Sequence, residues 1–194
     1  AALAMTNSFV ATAAAAMAGL PRNHRTPERQ LPPAPDRRGS LGSFFLFVVR
    51  GRPAGRVGAI GRTVTELLLE QGKAVRSMVR NEDERAQALR DMGAEVVVGD
   101  LLDLDSMHRA IAGCETMYFG MSVSDSYLAA TVNTAAVAKH HGVKAFINMS
   151  QMTLSQMSIT ETTASPQHKL HWLAEQALNW SGLPVVHVRP TVFL

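Results

Sequence analysis

The stretch Gly55-Arg56-Val57-Gly58-Ala59-Ile60-Gly61 places three glycines at intervals of three residues. The apolar run at 44–49 before it predicts a strand, and the helical pattern after it extends to Gly72. A strand, a glycine-rich turn and a helix together can hold a dinucleotide pyrophosphate, because glycines allow close backbone approach and the helix N-terminus offers free N–H groups. The predicted nucleotide contacts are therefore Gly55, Arg56, Val57, Gly58, Ala59, Ile60 and Gly61. An ordinary strand-to-helix turn is the alternative.

Strand-like and helix-like segments alternate from residue 44 onward. Further strands are predicted at 73–79, 95–98, 116–119, 144–148 and 185–188, and helices at 81–92, 103–112, 124–140 and 165–180. Asn81, Ser124 or Asp125, and Ser165 are the expected helix-starting residues. Short turns between strands and helices require parallel strands joined by right-handed crossovers. The sequence therefore predicts an α/β fold: a doubly wound parallel sheet of the Rossmann type, with helices on both faces.

Charge and composition limit the class of partner. The chain has a net charge of +3, but residues 1–43 hold five arginines and two acids, so residues 44–194 carry fourteen basic and fourteen acidic side chains. A neutral folded part argues against nucleic acid as a partner. No apolar run approaches the ~20 residues of a membrane span, so no membrane partner is expected. The single cysteine, Cys114, fits a reducing compartment and is interpreted as a plain thiol; we expect a cytoplasmic protein.

Residues 1–43 differ in composition from the rest of the chain. They combine an alanine-rich run with five prolines and scattered arginines. Proline at this density opposes both helix and sheet, so the tract is predicted to be a disordered extension, separate from the domain at 44–194. A transit peptide for an organelle is the alternative interpretation.

Several segments together resemble the NmrA-like, atypical short-chain dehydrogenase/reductase family. The glycine pattern at 55–61, the segments at 97–101 and 133–150, Glu175, and Arg189-Pro190 carry the resemblance, which covers about 44–194. Two features depart from the family pattern. Residues 50–54 separate the first strand from Gly55, and the chain stops soon after Arg189-Pro190, where the family continues into a substrate-covering part. The resemblance therefore implies a fragment, with the cofactor part present and the C-terminal substrate part missing.

The residue after the second strand predicts the choice of nucleotide. An NAD-preferring fold has an acid there to bind the ribose 2′-hydroxyl, whereas this chain has Arg80, which suits a 2′-phosphate. We therefore expect NADP rather than NAD, although Arg80 could instead pair with one of the acids at 82–84. The resemblance implies that Asp100 reaches the adenine; a helix-capping role is the alternative. Contacts from Leu101, Met121 and Ser122 are also expected.

Catalysis is not determined by the sequence. Short-chain dehydrogenases use serine, tyrosine and lysine; the resemblance aligns Ser150 with the serine, Gln167 with the tyrosine and His171 with the lysine. Glutamine cannot act as an acid, so the usual proton donor is absent and enzymatic activity stays open. Ser150 and His171 are the weak catalytic candidates, with Lys169 as a further fallback, and a surface position on an amphipathic helix is the alternative for His171 and Lys169. His168 and His171 lack a third ligand, so no metal site is expected.

Two functions fit these features. The first is an NADP(H)-binding oxidoreductase that transfers hydride to a small apolar, quinone-like acceptor, which needs little proton donation from the protein. The methionines at 117, 121, 149, 152 and 157 would then line an apolar pocket, although core packing is the favoured interpretation. The second is a non-catalytic NADP(H) redox sensor that acts through a regulatory protein partner. The sequence makes no prediction of oligomeric state.

Overall fold

The computed structural model describes the backbone of residues 44–50 and 56–191, and side chains from Ile60 to Thr191. Within these residues, six strands alternate with five helices. The strands are β1 (Phe44–Arg50), β2 (Ala74–Val79), β3 (Glu95–Val98), β4 (Cys114–Met121), β5 (Ala145–Met149) and β6 (Val185–Val188). The helices are α1 (Arg56–Glu70), α2 (Glu84–Asp91), α3 (Leu104–Ile111), α4 (Tyr127–His140) and α5 (Pro166–Trp180). A short 3-10 helix, Met152–Gln156, follows β5 and was not predicted.

The strands form one parallel sheet in the order β3-β2-β1-β4-β5-β6. β1 lies between β2 and β4, and its register aligns Val48 with both Met78 and Phe119. The strand order reverses at β1 and β4, because the chain first builds β2 and β3 on one side and then β4 to β6 on the other. This is the doubly wound Rossmann order, and it confirms the predicted fold class.

Two hydrophobic cores cover the two faces of the sheet. On one face, α1 buries Val64 and Leu68 against Tyr118 and Ile147 of the sheet. On the other face, α3, α4 and α5 pack on β4 and β5; the buried residues of this core include Met107, Ile111, Phe119, Tyr127, Phe146 and Leu178. The apolar strands are therefore covered on both sides, as a parallel sheet requires.

Helix starts differ from the prediction in two places. Asp83 caps α2, because its Oδ1 accepts from the N–H groups of Arg85 and Ala86 at 3.0 and 3.2 Å, so the Asn81 cap was wrong. α4 begins at Tyr127 after Ser126, which makes no side-chain cap bond, so Ser124 and Asp125 were also wrong as caps. Ser165 does cap α5 through the His168 N–H.

The glycine-rich stretch is more helical than predicted. α1 begins at Arg56, so Gly58 and Gly61 lie inside its first two turns and not in a preceding turn. Gly55 lies outside the described residues, as do the 51–54 insertion and the predicted extension at 1–43. Among the residues that the structure describes, no helix is long and apolar enough to cross a membrane.

Candidate functional site

The reversal of strand order creates a crevice at the carboxyl ends of β1 and β4. These ends are level, because Arg50 of β1 pairs in register with Met121 of β4. α1 begins a few residues after β1, so its N-terminus lies at the same edge of the sheet. In doubly wound folds, ligands bind in the crevice where the strand order reverses, and a helix N-terminus there favours phosphate.

Most of the predicted cofactor residues are brought to this one edge. Arg80 follows β2, Asp100 follows β3, and Ser122 follows β4. Residues 56–59 form the first turn of α1, where backbone N–H groups lack partners within the helix. The edge therefore combines a helix N-terminus with polar side chains that can donate to or accept from a dinucleotide.

Three of the predicted contacts have buried side chains. Ile60 packs in the core below α1, and Met121 and Leu101 pack in the core on the other face. Leu101 also accepts a hydrogen bond at its carbonyl from Asn133 Nδ2, at 3.1 Å. The sequence correctly put these three residues near the edge. Their side chains, however, pack in the cores, so they hold the surrounding elements in place.

Arg80 extends from the end of β2 toward Asp100. Its guanidinium lies 3.7 Å from Asp100 Oδ2, and 57% of its side chain is exposed. Two of the acids that could have paired with it are engaged elsewhere, Glu82 with Arg90 and Asp83 with Arg85. The contact with Asp100 is long and solvent-exposed, so the guanidinium can reach an anion at this edge.

Asp100 makes hydrogen bonds within its own turn and does not cap a helix, which was the alternative interpretation of this residue. Its Oδ1 accepts from the Leu102 N–H at 3.0 Å, and its own N–H donates to Ser106 Oγ at 2.9 Å. The residue that caps α3 is Asp103. The helix-cap interpretation of Asp100 was therefore wrong; the carboxylate orders the turn after β3 and faces Arg80.

Ser150 directly follows β5 and lies beside a buried ion pair. Glu175 of α5 is 1% exposed and receives two hydrogen bonds from Arg189, at 3.0 and 2.5 Å. Burial acts to raise the pKa of Glu175, but the hydrogen bonds from Arg189 outweigh it, with a smaller contribution from the nearby Ser150 hydroxyl, and lower that pKa below its usual value. The Ser150 hydroxyl itself is buried and makes no hydrogen bond of good geometry.

His171 is buried, so the surface interpretation was wrong for it. Only 6% of the residue is exposed, and its Nδ1 lies 3.0 Å from the Tyr127 Oη. Burial lowers the pKa of His171 to about 4, and burial also raises the pKa of Tyr127, so both groups are neutral at pH 7. The structure thus brings a tyrosine of α4 to the residue that aligns with the family's lysine.

The Tyr127–His171 pair is the feature of the candidate site that sequence reasoning missed. Tyr127 belongs to another helix and lies 44 residues from His171 in sequence, so the local pattern of α5 does not indicate the contact. The Tyr127 ring packs edge-on against the His171 ring, with the two centroids 4.8 Å apart. Gln167 and Lys169, the other residues considered on α5, are exposed.

The five methionines do not form one pocket. Met117, Met121 and Met149 are buried in the cores, and Met152 is exposed. Met157 lines a surface pocket together with Thr153, Gln156, Glu161, Thr162, Thr163 and His168. The core-packing interpretation is therefore correct for three of the five methionines.

Cys114 lies at the start of β4, at the other end of the strand from the nucleotide edge. It is buried, and burial raises the pKa of its thiol to about 11 even though Arg76 lies 3.6 Å from the sulfur. A thiol with so high a pKa is a poor nucleophile, which fits the interpretation of Cys114 as a plain thiol.

Comparison with known proteins supports nucleotide binding by this domain. A family model described as NAD(P)H-binding matches residues 55–194, so the match begins at the first predicted glycine and leaves β1 outside. A farnesyl dihydroquinoline-oxide ketoreductase of Stigmatella aurantiaca is 29% identical over 72 residues, which are 37% of this chain and 21% of that protein.

Two solved reductases have the same fold. The Citrobacter triphenylmethane reductase is 25% identical with a TM-score of 0.61, over 77% of this chain and 49% of that one. The NADPH complex of an Escherichia coli NADPH-dependent quinone oxidoreductase is also 25% identical, with a TM-score of 0.60, over 75% of this chain and 48% of that one. This chain thus spans about half the length of these reductases and a fifth of the ketoreductase. From the family match and the reversed sheet order, the chain belongs to the NAD(P)H-binding family, with a Rossmann fold that takes a nicotinamide cofactor.

Proposed function

We propose that this chain is the cofactor-binding part of an oxidoreductase that uses NADP(H) to reduce a small apolar, quinone-like acceptor. The observation that carries the proposal is the exposed Arg80 guanidinium at the nucleotide edge of an NAD(P)H-binding fold. Bound NADPH supplies a hydride. The residues of the chain would bind the cofactor and fix its position.

Arg80 supports NADP over NAD. A guanidinium makes strong, charge-assisted hydrogen bonds to phosphate oxygens, whereas an NAD site needs an acid at the same place for the 2′-hydroxyl. The carboxylate of Asp100, 3.7 Å from Arg80, would orient the guanidinium and remain available to the adenosine. The phosphates between the two nucleosides would meet the N–H groups of the first turn of α1.

The residues on α5 favour an acceptor that needs little acid catalysis. Gln167 cannot donate a proton as an acid, and His171 is buried, neutral and paired with Tyr127. A reduced quinone can take its protons from water, so such an acceptor does not require the missing tyrosine. The likeness to a quinone oxidoreductase points in the same direction.

Within this proposal, Tyr127 and His171 are positioning residues. The Tyr127 hydroxyl can donate to Nδ1, which would leave the ring proton on Nε2. Such a pair fixes the imidazole in one tautomer beneath the carboxyl ends of β4 and β5. Ser150 follows β5 at the same edge but is buried near Glu175, so we assign it a positioning role as well.

The alternative function, a non-catalytic sensor acting through a protein partner, has no observation in its favour. The relatives described above are named as reductases, and no feature of the described residues favours a protein partner over a small acceptor.

The test is steady-state oxidation of NADPH by the full-length protein with a panel of quinones. We expect turnover with NADPH to exceed turnover with NADH, and small apolar quinones to be better acceptors than polar aldehydes. Tight NADPH binding with no turnover on any quinone would refute the oxidoreductase proposal.

Gly58→Val provides the matching binding test. A side chain in the first turn of α1 would occupy the space that the pyrophosphate needs, so nucleotide binding should be lost. Valine is a better helix former than glycine, so circular dichroism should show an intact fold. Ala136→Val, at an exposed position on α4, is the control and should bind normally. Unchanged affinity in Gly58→Val would remove the assignment of the phosphate loop.

A further inference from the structure

Three histidines meet at the edge of the sheet opposite to the nucleotide site. His108 lies in the last turn of α3, His140 ends α4, and His141 is the C-cap of α4. Helices in this fold run antiparallel to the strands, so their C-terminal ends lie where the following strands begin. α3 ends just before β4, and α4 ends just before β5. The cluster is therefore separated from the carboxyl edge by the length of the sheet.

The geometry of the cluster is close to that of a metal site. His108 Nδ1 and His141 Nε2 are 3.1 Å apart, and one nitrogen from each of the three rings lies within 4.8 Å of the others. Two nitrogens bound at 2.0–2.1 Å to one tetrahedral ion are about 3.3 Å apart. The first pair is thus already at ligand separation, and the third nitrogen, on the exposed His140, lies within 4.8 Å of both.

The surroundings suit a cation of borderline softness. Imidazole nitrogens are good ligands for zinc, copper and nickel, whereas magnesium and calcium prefer oxygen. The ends of α3 and α4 present carbonyl groups and the negative ends of two helix dipoles. Of the neighbouring cations, Lys139 is directed away, since its Nζ donates to the Gly182 carbonyl at 2.8 Å. His108 and His140 are exposed, so solvent can fill a remaining coordination position.

We propose that His108, His140 and His141 bind one divalent transition-metal ion of the zinc class, and that the ion ties the end of α3 to the end of α4. Each histidine would contribute one ring nitrogen, and water would complete the tetrahedron. The two helices already pack on the same face of the sheet, so the ion would fix their ends without changing the fold. The inference does not depend on the proposed enzymatic function.

The experiment uses the full chain without a polyhistidine tag. We expect calorimetry with a competing chelator to give one Zn²⁺ per chain, Mg²⁺ to give no binding, and Zn²⁺ to raise the melting temperature. Co²⁺ should give the visible absorption of a tetrahedral complex. His108→Asn, His140→Asn and His141→Asn should each weaken Zn²⁺ binding at least tenfold, whereas His168→Asn, a half-buried histidine on α5, should leave it unchanged.

Other outcomes would overturn the proposal. Zinc binding that survives the combined His108→Asn and His141→Asn substitutions would place the ion elsewhere. One ion per two chains would indicate a bridge between molecules, and an equal loss in His168→Asn would indicate unspecific binding. His140 is exposed, so His140→Asn should fold normally, and weaker Zn²⁺ binding by this variant can be attributed to the lost ligand. NADPH affinity, measured with and without Zn²⁺, should not change, so a failed metal site and a failed nucleotide site are distinguishable.

Discussion

At the scale of single residues, Arg80 shows how a position can be predicted while its surroundings cannot. The sequence places an arginine directly after β2, and parallel-sheet geometry brings that position to the nucleotide edge. The sequence also offers nearby acids as partners. In the structure, two of these acids pair with Arg85 and Arg90, and a different acid, Asp100 in the turn after β3, faces Arg80 at 3.7 Å.

Arg80→Glu should weaken NADPH binding more than NADH binding. The substitution removes a cation from the 2′-phosphate and introduces a like charge beside it. Loss of one charged hydrogen-bond partner costs roughly 1.5–3 kcal/mol, or about ten- to a hundredfold in affinity. NADH binding should stay level or improve, because a carboxylate can accept from the free 2′-hydroxyl. Fluorescence titration with both cofactors measures the two dissociation constants.

Two further variants control this prediction. Arg80→Gln removes the positive charge without adding a negative one, so it should lower NADPH affinity by a smaller factor. Arg85→Glu changes a similarly exposed cation nearby that is engaged with Asp83, and it should affect both cofactors little and equally. An equal loss of both cofactors in Arg80→Glu would mean that Arg80 does not contact the 2′ position.

For His171, the sequence predicted the alignment with the family's lysine. It did not predict that the side chain is buried. Its partner Tyr127 is 44 residues away, and nothing in the local pattern of α5 indicates a buried imidazole. The pKa of about 4 has a direct thermodynamic consequence. Between pH 6.5 and 4 the unfolded chain binds a proton at this residue and the folded chain does not, so the folded state loses stability as the pH falls.

His171→Gln should reduce this sensitivity to acid. Each pKa unit corresponds to about 1.4 kcal/mol, so the parent protein should lose about 2 kcal/mol more than the variant between pH 7 and pH 5. Urea unfolding at the two pH values measures the difference. Tyr127→Phe retains the buried histidine, so it should lower stability at both pH values and keep the parent's acid loss. If His171→Gln and the parent lost equal stability in acid, His171 would not be buried as a neutral group.

At the scale of the elements, periodicity and helix-stop glycines predicted the order and type of every described strand and α-helix. The boundaries were less accurate, because they depend on competing hydrogen bonds. Asp83 displaced Asn81 as the cap of α2, since one carboxylate can accept from two backbone N–H groups. The contact between α3 and α4 at their histidines was not predictable, because residues 108 and 140 become neighbours only after both helices pack on the sheet.

The ion pair between α5 and the segment after β6 gives a prediction at this scale. Arg189→Met would leave the Glu175 carboxylate buried without its partner. Breaking a fully buried pair costs about 3–5 kcal/mol; because Arg189 is 38% exposed, we expect a smaller loss, about 1–3 kcal/mol at pH 7. Denaturant unfolding measures it.

The pH dependence identifies the cause of that loss. The pKa of Glu175 is lowered in the folded protein, so the stability it contributes is present above the carboxyl's unfolded pKa of about 4.3 and is lost as the pH falls through the folded pKa. In Arg189→Met the unpaired carboxyl instead protonates readily, so the variant's deficit should be smaller at pH 4 than at pH 7. Glu175→Gln in the Arg189→Met background should recover part of the loss at pH 7. A deficit that is independent of pH would point to lost packing instead.

At the scale of the whole molecule, the sheet depends on a strand that lies outside the family match. The match begins at residue 55, whereas β1 spans Phe44–Arg50 and pairs with both β2 and β4. A central parallel strand satisfies backbone groups on two sides, so its removal would leave two facing strands without partners in the middle of the sheet. The glycine pattern identifies the family, but the fold needs the apolar run before it.

Two truncations test this dependence. Deleting residues 1–43 should leave the melting temperature almost unchanged, because a tract rich in proline and alanine adds little to a packed core. Deleting residues 1–54 removes only eleven more residues, yet it takes away β1 and should abolish cooperative unfolding and NADPH binding. Circular dichroism melts and nucleotide titrations of the two shortened chains, beside the full chain, give the comparison. A large loss in the first truncation would show that the N-terminal tract docks on the domain, and a stable second truncation would show that the sheet closes without β1.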